Sequence, residues 1–306
     1  MELRRGLIAG TAAYLLWGAF PLYFPLLAPS GPFEILAHRM VWTCVTMTLV
    51  VLAMRKQRAL RAILTSRRKT LLLIVAAATI TSNWGTYIYA VNNDHVVEAS
   101  LGYFINPLVT MLMGVLVLGE RLRPAQWVAV GVGFAAVAIL TAGYGHPPYI
   151  SLILAFSFGT YGLAKKQASV GAVESLAFET AVIAPFALAF LIWLGATGRG
   201  HFVGHGGWHV VLLISAGFVT AVPLLCFGAA ATRLPLATIG LLQYLTPILQ
   251  FALGVTVNGE HMSPERWGGF ALVWLALSIF TADALRARRR LLAQAAERGR
   301  VPETSA

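Results

Sequence analysis

The chain has 306 residues, of which 58% are hydrophobic and 11% are charged. Soluble domains carry roughly 45–50% apolar and about 25% charged residues, so this composition excludes an ordinary soluble protein. The net charge of +11 does not indicate a nucleic-acid partner, because the basic residues flank apolar segments instead of forming one soluble face. Cys44 and Cys226 both lie inside apolar segments, so neither a disulfide framework nor a metal site follows from them.

Apolar segments long enough to cross a bilayer recur along the chain. A transmembrane helix needs about 20 apolar residues to cross about 30 Å of hydrocarbon. Segments such as 71–78 and 186–194 are continuously apolar, whereas the strands of a membrane barrel alternate between apolar and polar residues. We therefore predict an all-α integral membrane protein with ten transmembrane helices. The predicted spans are approximately 6–28, 35–54, 71–91, 98–118, 124–142, 148–164, 173–194, 208–231, 236–257 and 264–282.

The first predicted span resembles a signal peptide, because Arg4 and Arg5 precede an apolar run. The run at 6–28 is long, however, and the sequence Leu27-Ala28-Pro29-Ser30 is a poor cleavage site. We interpret it as an uncleaved transmembrane helix.

The distribution of lysine and arginine orients the predicted helices, because cytoplasmic loops collect these residues. With the N-terminus inside, every loop lysine and arginine lies inside except Arg199 and Arg266, while Arg39 lies within the second span. We therefore predict a multi-pass protein of the cytoplasmic membrane with both termini in the cytoplasm. The segment 284–306 is predicted to be a basic cytoplasmic tail, which serves as a topology anchor or contacts anionic lipid.

The chain repeats itself at a constant offset of 140 residues. Each copy holds five spans, an odd number, so the second copy must enter the membrane from the opposite face. Such inverted repeats are typical of transporters that alternate between two states around a midplane site. We predict a first repeat at 6–142 and a second at 148–283. The matching pairs include Pro107 with Pro247, Gly114 with Gly254, Gly119 with Gly259, Glu120 with Glu260, and Trp127 with Trp267.

Each repeat ends in a similar motif, Gly119-Glu120-Arg121 before Pro124 and Gly259-Glu260 before Pro264. This motif resembles the end of EamA-type domains, which belong to the drug/metabolite transporter superfamily. The stretches 83–92, 98–107 and 242–247, together with Ala37-His38-Arg39, look specifically like the RarD subgroup. The resemblance extends from about residue 6 to 282. It implies ten helices, cytoplasmic termini, a central cavity formed by spans one to four and six to nine, and export of metabolites or drugs.

Arg39 is the leading candidate for a functional residue, because it lies about six residues into the second span, or about 9 Å deep. A charge at this depth is costly and usually functional, although snorkelling to the outer surface is the alternative. The repeat places Glu179 at the equivalent position, near the opposite face. Opposite charges at mirrored depths indicate the two ends of one pathway, unless each only pairs with a nearby helix.

Other polar residues inside the spans are expected to face inward, because lipid-facing amide groups are costly. They either line a solute cavity or bridge helices through hydrogen bonds, and their concentration in spans three, four and nine favours a cavity. Pro107 and Pro247 each free a backbone carbonyl and are predicted to form kinks or gates. The predicted solute-pathway residues are His38, Arg39, Asn83, Tyr87, Tyr103, Asn106, Gln243 and Tyr244.

Glu34, Glu98 and Glu179 are candidates for proton coupling, because carboxylates in a partly apolar cavity have raised pKa values. For Glu98, which follows Asp94 and His95 in a short link, a solvated loop is the simpler interpretation.

Three histidines, His201, His205 and His209, recur at the spacing of metal ligands on a helix. This glycine-rich segment is not expected to be helical, so we predict neither a metal nor a cofactor.

The sequence thus predicts a secondary transporter, most simply an exporter of a small organic metabolite or drug. It is expected to work in the lipid bilayer as a monomer or homodimer. A passive facilitator or channel-like permease is the alternative, although a channel would need a ring of coordinating groups. A membrane enzyme or ATP-driven pump is less favoured, because the chain has no His-Glu-x-x-His, Gly-x-Ser-x-Gly or Gly-x-x-x-x-Gly-Lys motif.

Cysteine labelling tests the predicted topology. A cysteine replacing Arg61 should not react with a membrane-impermeant reagent added outside, because that basic loop is predicted to be cytoplasmic. Reaction of Arg61→Cys from outside would contradict the orientation. Single cysteines should react from outside when placed near Asp94, Gly145, Gly204 or His261.

Overall fold

The computed structural model describes residues 2–119, 121–231, 233–234, 238–239 and 242–298. Glu120 of the repeated motif, part of the predicted ninth span and residues 299–306 of the tail lie outside this set. Within the described residues the regular secondary structure is helical, with no β-strand.

Among the described residues, seven helices are long and apolar enough to cross a membrane. An eighth span results if the helix Glu2–Gly18 and the segment Phe20–Leu27, which meet at a bend of 45°, are taken together. This set includes neither the helix Tyr149–Ala168 nor the 12-residue helix Leu245–Thr256. The protein is therefore an all-helical membrane protein, and each predicted span overlaps one of its helices. The helices are α1 (Glu2–Gly18), α2 (Phe20–Tyr23) with the 3-10 helix Phe24–Leu27, α3 (Pro32–Ala53), α4 (Gln57–Leu64), α5 (Arg67–Asn92), α6 (Val96–Leu118), α7 (Pro124–Tyr144), α8 (Tyr149–Ala168), α9 (Ala172–Ala196), α10 (Gly207–Ala231), α11 (Leu245–Thr256) and α12 (Pro264–Arg298).

Proline and glycine set several of the helix ends. Helices α3, α7 and α12 begin at Pro32, Pro124 and Pro264, where the missing N–H breaks no helical hydrogen bond. Gly119 and Gly145 end α6 and α7 with φ of +66° and +73°, a left-handed conformation that favours glycine. These residues explain why the predicted and observed ends agree within a few residues at these positions. The exception is the end of α12, which continues to Arg298, whereas the predicted tenth span ends at 282.

The amphipathic helix α4 was not predicted. It occupies the basic segment between α3 and α5, and its Ile63 is buried in a cluster with Leu73, Ala168 and Phe178. Because α4 has only eight residues, two of them arginines, hydropathy alone indicates a loop.

The main helix contacts join the two predicted halves of the chain. Helix α3 packs along α9, α6 along α11, and α7 along α12. Helix α8 packs against α5 and α6, while α1 packs against α10 and α11. Helix α10 also packs against α3, and α9 against α5. The five spans of the first half correspond in order to α1, α3, α5, α6 and α7, and those of the second half to α8, α9, α10, α11 and α12. Replacing each helix by its equivalent in the other half gives the same set of pairs.

Helices α3 and α10 approach closely at Gly217. A Cβ atom at Gly217 would lie 2.3 Å from the carbonyl carbon of Trp42 and 2.4 Å from its oxygen, and backbone atoms cannot easily move aside. Small residues allow this kind of close backbone approach between membrane helices. The contact brings the middle of α10, which carries Thr220, against α3, which carries Arg39.

We predict that Gly217→Ala lowers the apparent unfolding temperature of the purified protein, because overpacking a tight interface costs roughly 1–3 kcal/mol. Gly228→Ala on the same helix is the matched control, since a Cβ there meets nothing within 4 Å. Thermal unfolding followed by tryptophan fluorescence compares the two variants. Equal unfolding temperatures of the two variants would show that α10 does not lie this close to the backbone of Trp42 in α3.

Candidate functional site

The guanidinium of Arg39 lies buried between helices α3, α5 and α10, with the residue only 2% exposed. Its Nε donates a hydrogen bond to Thr220 Oγ1 at 2.8 Å. Its central carbon lies 4.0 Å from the ring centre of Trp84. Among the described residues, Nη1 has no hydrogen-bond partner and no carboxylate forms an ion pair with this guanidinium. The side chain therefore faces the interior of the bundle and does not snorkel to the surface.

Aromatic rings enclose the same guanidinium. The ring centres of Phe20 and Phe24 lie 5.3 Å and 5.6 Å from its central carbon. Phe24 packs edge-on against Tyr87 at 6.0 Å, and Tyr87 packs edge-on against Tyr103 at 5.7 Å. A cation near aromatic rings is attracted by their quadrupoles, which offsets part of its lost hydration. The environment of Arg39 is therefore aromatic and lacks an acidic partner.

Sequence reasoning missed part of this environment. It selected Arg39, Tyr87 and Tyr103, but it did not select Trp84 or Thr220. A lone threonine in the apolar α10 is a weak signal. The Arg39–Thr220 contact joins residues 181 positions apart, so sequence spacing does not reveal it.

Asn83 bridges helices through its amide group. Its Nδ2 donates to the carbonyl of Leu154 at 2.9 Å and lies 3.0 Å from Ser157 Oγ, both on α8. Its Oδ1 accepts a hydrogen bond from the Tyr103 hydroxyl on α6 at 3.4 Å. Asn83 thus ties α5 to α8 and α6, which is the bridging alternative considered for this residue, while it also positions Tyr103.

Asn106, Gln243 and Tyr244 make their contacts away from the Arg39 cluster. Asn106 Oδ1 accepts a hydrogen bond from Thr110, one turn later in α6, at 3.3 Å. Gln243 lies in the turn before α11, and Tyr244 packs against the apolar cluster that contains Phe270. The structure does not bring these three predicted pathway residues together with Arg39.

The two matched prolines differ in position. Pro107 lies inside α6, as expected for a kink. Pro247 is the third residue of α11, where its missing N–H breaks no helical bond. It follows the turn at Gln243 and Tyr244, and the kink or gate expected at Pro247 stays a prediction.

The loop after α9 covers the beginning of α3. Glu34 is buried, and its carboxylate accepts the backbone N–H of His201 at 2.6 Å and lies 2.7 Å from Nδ1 of the same histidine. Ser30 Oγ and His209 Nε2 are 3.0 Å apart. His38 is buried against Phe202, with stacked rings 4.7 Å apart. These contacts close the predicted outer end of the bundle.

The three histidines selected by spacing do not share one helix. His201 and His205 lie in the nonhelical loop, and His209 lies in the first turn of α10. Neighbouring rings are 5.1 Å and 5.9 Å apart. In the described part of the chain, no group of three or more His, Cys, Asp or Glu residues is placed to hold a metal ion.

Glu179 has basic and hydroxyl partners. Lys165 Nζ lies 3.3 Å from its Oε1, the hydroxyl of Tyr161 donates to Oε2 at 3.3 Å, and Ser175 donates to Oε1. The site is thus unlike that of Arg39, because Glu179 has a counter-ion, whereas Arg39 has none among the residues that the structure describes.

Glu98 and Glu260 hold the beginnings of other helices. Glu98 is buried in the first turn of α6 and accepts the backbone N–H of Ile150 in α8 at 3.1 Å, so the solvated-loop interpretation is wrong for this residue. Glu260 lies outside the membrane-spanning segments and accepts the N–H groups of Val96 and Val97 at the start of α6. Burial raises the pKa of Glu260 to about 7, although these two N–H groups act in the opposite direction.

A cavity of about 730 Å³ opens at the same end of the bundle. It lies between the segment after α1, the loop joining α5 to α6, and the residues after α11. Arg39 is not among its lining residues, so this conformation closes the guanidinium off from the cavity.

Comparison with known proteins decides the family. The model of the EamA-like transporter family matches residues 4–142 and 149–282. The chain belongs to the EamA-like transporter family. Protein RarD of Streptomyces exfoliatus is 58% identical over 289 residues, covering 94% of this chain and 92% of that relative. Protein RarD of Escherichia coli (strain K12) is 42% identical over 289 residues, with coverage of 94% and 98%.

A solved crystal structure shares the fold of this EamA-family chain, with a TM-score of 0.60 and 21% identity. The match covers 92% of this chain and 98% of that chain. At this level of identity it is evidence for the fold only. The family match and the two RarD relatives place the chain in the RarD subgroup of the drug/metabolite transporter superfamily. The protein is therefore a membrane transporter of this type.

Proposed function

We propose that this protein is a secondary transporter that exports a small organic solute across the cytoplasmic membrane by alternating access. Its ten transmembrane helices form two inverted repeats, at 6–142 and 148–283, and both termini face the cytoplasm. The observation that carries the proposal is Arg39, a buried cation without an acidic partner among the described residues, enclosed by helices from both halves. Buried charges in membrane helices typically mark solute or ion pathways.

The symmetry of the helix contacts supports the inverted repeat. Each of the main contacts between the two halves has a counterpart in which both helices are replaced by their equivalents from the other half. A bundle built in this way has two related arrangements of similar energy, one open to each face of the membrane.

Two polar latches at opposite ends of the α3–α9 pair support alternating access. At the predicted outer end, Glu34 near the start of α3 holds His201 in the loop after α9. At the predicted inner end, Glu174 near the start of α9 pairs with Lys56, just after α3, at 2.9 Å. Opening one latch while the other stays closed exposes the interior to one side at a time.

Proton coupling through Glu34, Glu98 or Glu179 is part of the proposal, and Glu34 is the preferred group because it forms the outer latch with a titratable histidine. A passive facilitator is the second candidate. It is favoured by the partners of the other two acids, since Glu179 pairs with Lys165 and Glu98 caps α8.

Transport in reconstituted vesicles tests coupling. The solute is selected by thermal-shift screening of amino acids, nucleosides and drugs, because a ligand of the folded state raises its stability. We expect a pH gradient alone to drive accumulation of the labelled solute. Glu34→Gln should abolish accumulation and retain counterflow, because coupling needs a titratable carboxyl group and exchange does not.

Glu265→Gln is the control, since Glu265 is exposed at the start of α12. Counterflow without accumulation in the unmodified protein would identify a facilitator. The absence of both would contradict the proposal of transport for that solute.

A further inference from the structure

Every carboxylate buried in the described part of the chain already has another partner. Glu34 binds His201, Glu98 accepts the N–H of Ile150, Glu174 pairs with Lys56, and Glu179 pairs with Lys165. Arg39 is the one buried lysine or arginine among these residues, and none of those acids is its partner. The interior near Arg39 therefore carries positive charge that the protein itself does not neutralise.

The contacts of Arg39 with the protein leave part of its guanidinium unused. Nε is occupied by Thr220, and the plane lies near the ring of Trp84, but the buried Nη1 has no partner in the described residues. A guanidinium presents a planar fork of donors that matches a carboxylate.

From this arrangement we infer that the Arg39 site binds the carboxylate group of an organic acid whose apolar, planar body packs among Phe20, Phe24 and Trp84. The inference rests on the proposed transport function and names its substrate class. It also selects against zwitterions such as amino acids, because the buried carboxylates that would receive an ammonium group are already engaged. A simple acid gains the interaction with Arg39 without burying a second charge.

Three probes with one carbon skeleton separate these possibilities. 3-Phenylpropionate is an anion, 3-phenylpropionamide is its neutral analogue, and phenylalanine adds an ammonium group to the anion. Binding is measured by the concentration-dependent rise in unfolding temperature of the detergent-purified full chain. Propionate serves as a fourth probe that has the carboxylate and lacks the ring.

We expect 3-phenylpropionate to stabilise the unmodified protein, and the other three probes to bind at least about tenfold more weakly. Arg39→Gln should weaken binding of 3-phenylpropionate by a similar factor. Arg199→Gln is the matched control, because Arg199 lies over the ring of Trp193 at 5.8 Å but is exposed in the loop after α9. This control should bind like the unmodified protein.

The inference is overturned if 3-phenylpropionate does not stabilise the protein, if its amide binds equally well, or if Arg39→Gln leaves binding unchanged. Should Arg39→Gln fail to fold, the comparison of the anion with its amide on the unmodified protein decides alone.

Counterflow of labelled 3-phenylpropionate in vesicles separates the inference from the proposed function. Binding without counterflow would retain the anion site and contradict transport of this acid. If the unmodified protein carries a neutral solute in counterflow but does not bind 3-phenylpropionate, transport is retained and the anion site is contradicted.

Discussion

The arrangement on which the rest of the site depends is a guanidinium held away from water, with no counter-ion in the described part of the chain. A charged side chain in the middle of a membrane helix costs on the order of 3 kcal/mol or more. For Arg39 this cost is partly offset by the hydrogen bond to Thr220 and by the ring of Trp84, which belong to two other helices. The charged site therefore exists only when α3, α5 and α10 are assembled, and the close approach at Gly217 is part of that assembly.

The ends and the periphery of the bundle differ in the strength of their contacts. The outer latch joins Glu34 to both the backbone N–H and the ring of His201, and the inner latch joins Glu174 to Lys56. The basic partner of each latch is partly exposed, so water can hydrate it when the latch opens. In contrast, α7 and α12 meet through apolar contacts, and a Cβ at Gly269 would lie 2.3 Å from Leu140. This pair is suited to remain fixed while the ends move.

Much of the fold was predictable, because membrane helices are determined by local hydropathy and their ends by residues such as Pro32 and Gly119. The importance of Arg39 was also visible, since a charge in an apolar span is a local signal. Its surroundings were not, because the contact with Thr220 depends on how distant helices pack. Likewise, Glu98 and Glu260 appeared as loop or motif residues, whereas the structure shows that each caps the start of another helix. Capping across helices leaves no periodic pattern in the sequence.

The central claim is that the surroundings of Arg39 open to both sides of the membrane in turn. Thr220→Cys, in a chain with Cys44 and Cys226 replaced by serine, places a thiol where the guanidinium is bound. A small anionic, membrane-impermeant thiosulfonate is added outside the vesicles. It should label this cysteine through the outer face of the protein in right-side-out vesicles and through the cytoplasmic face in inside-out vesicles. Ala136→Cys, fully buried in the α7–α12 region, should stay unlabelled. Labelling of Thr220→Cys from one face only, or from neither, would contradict the account.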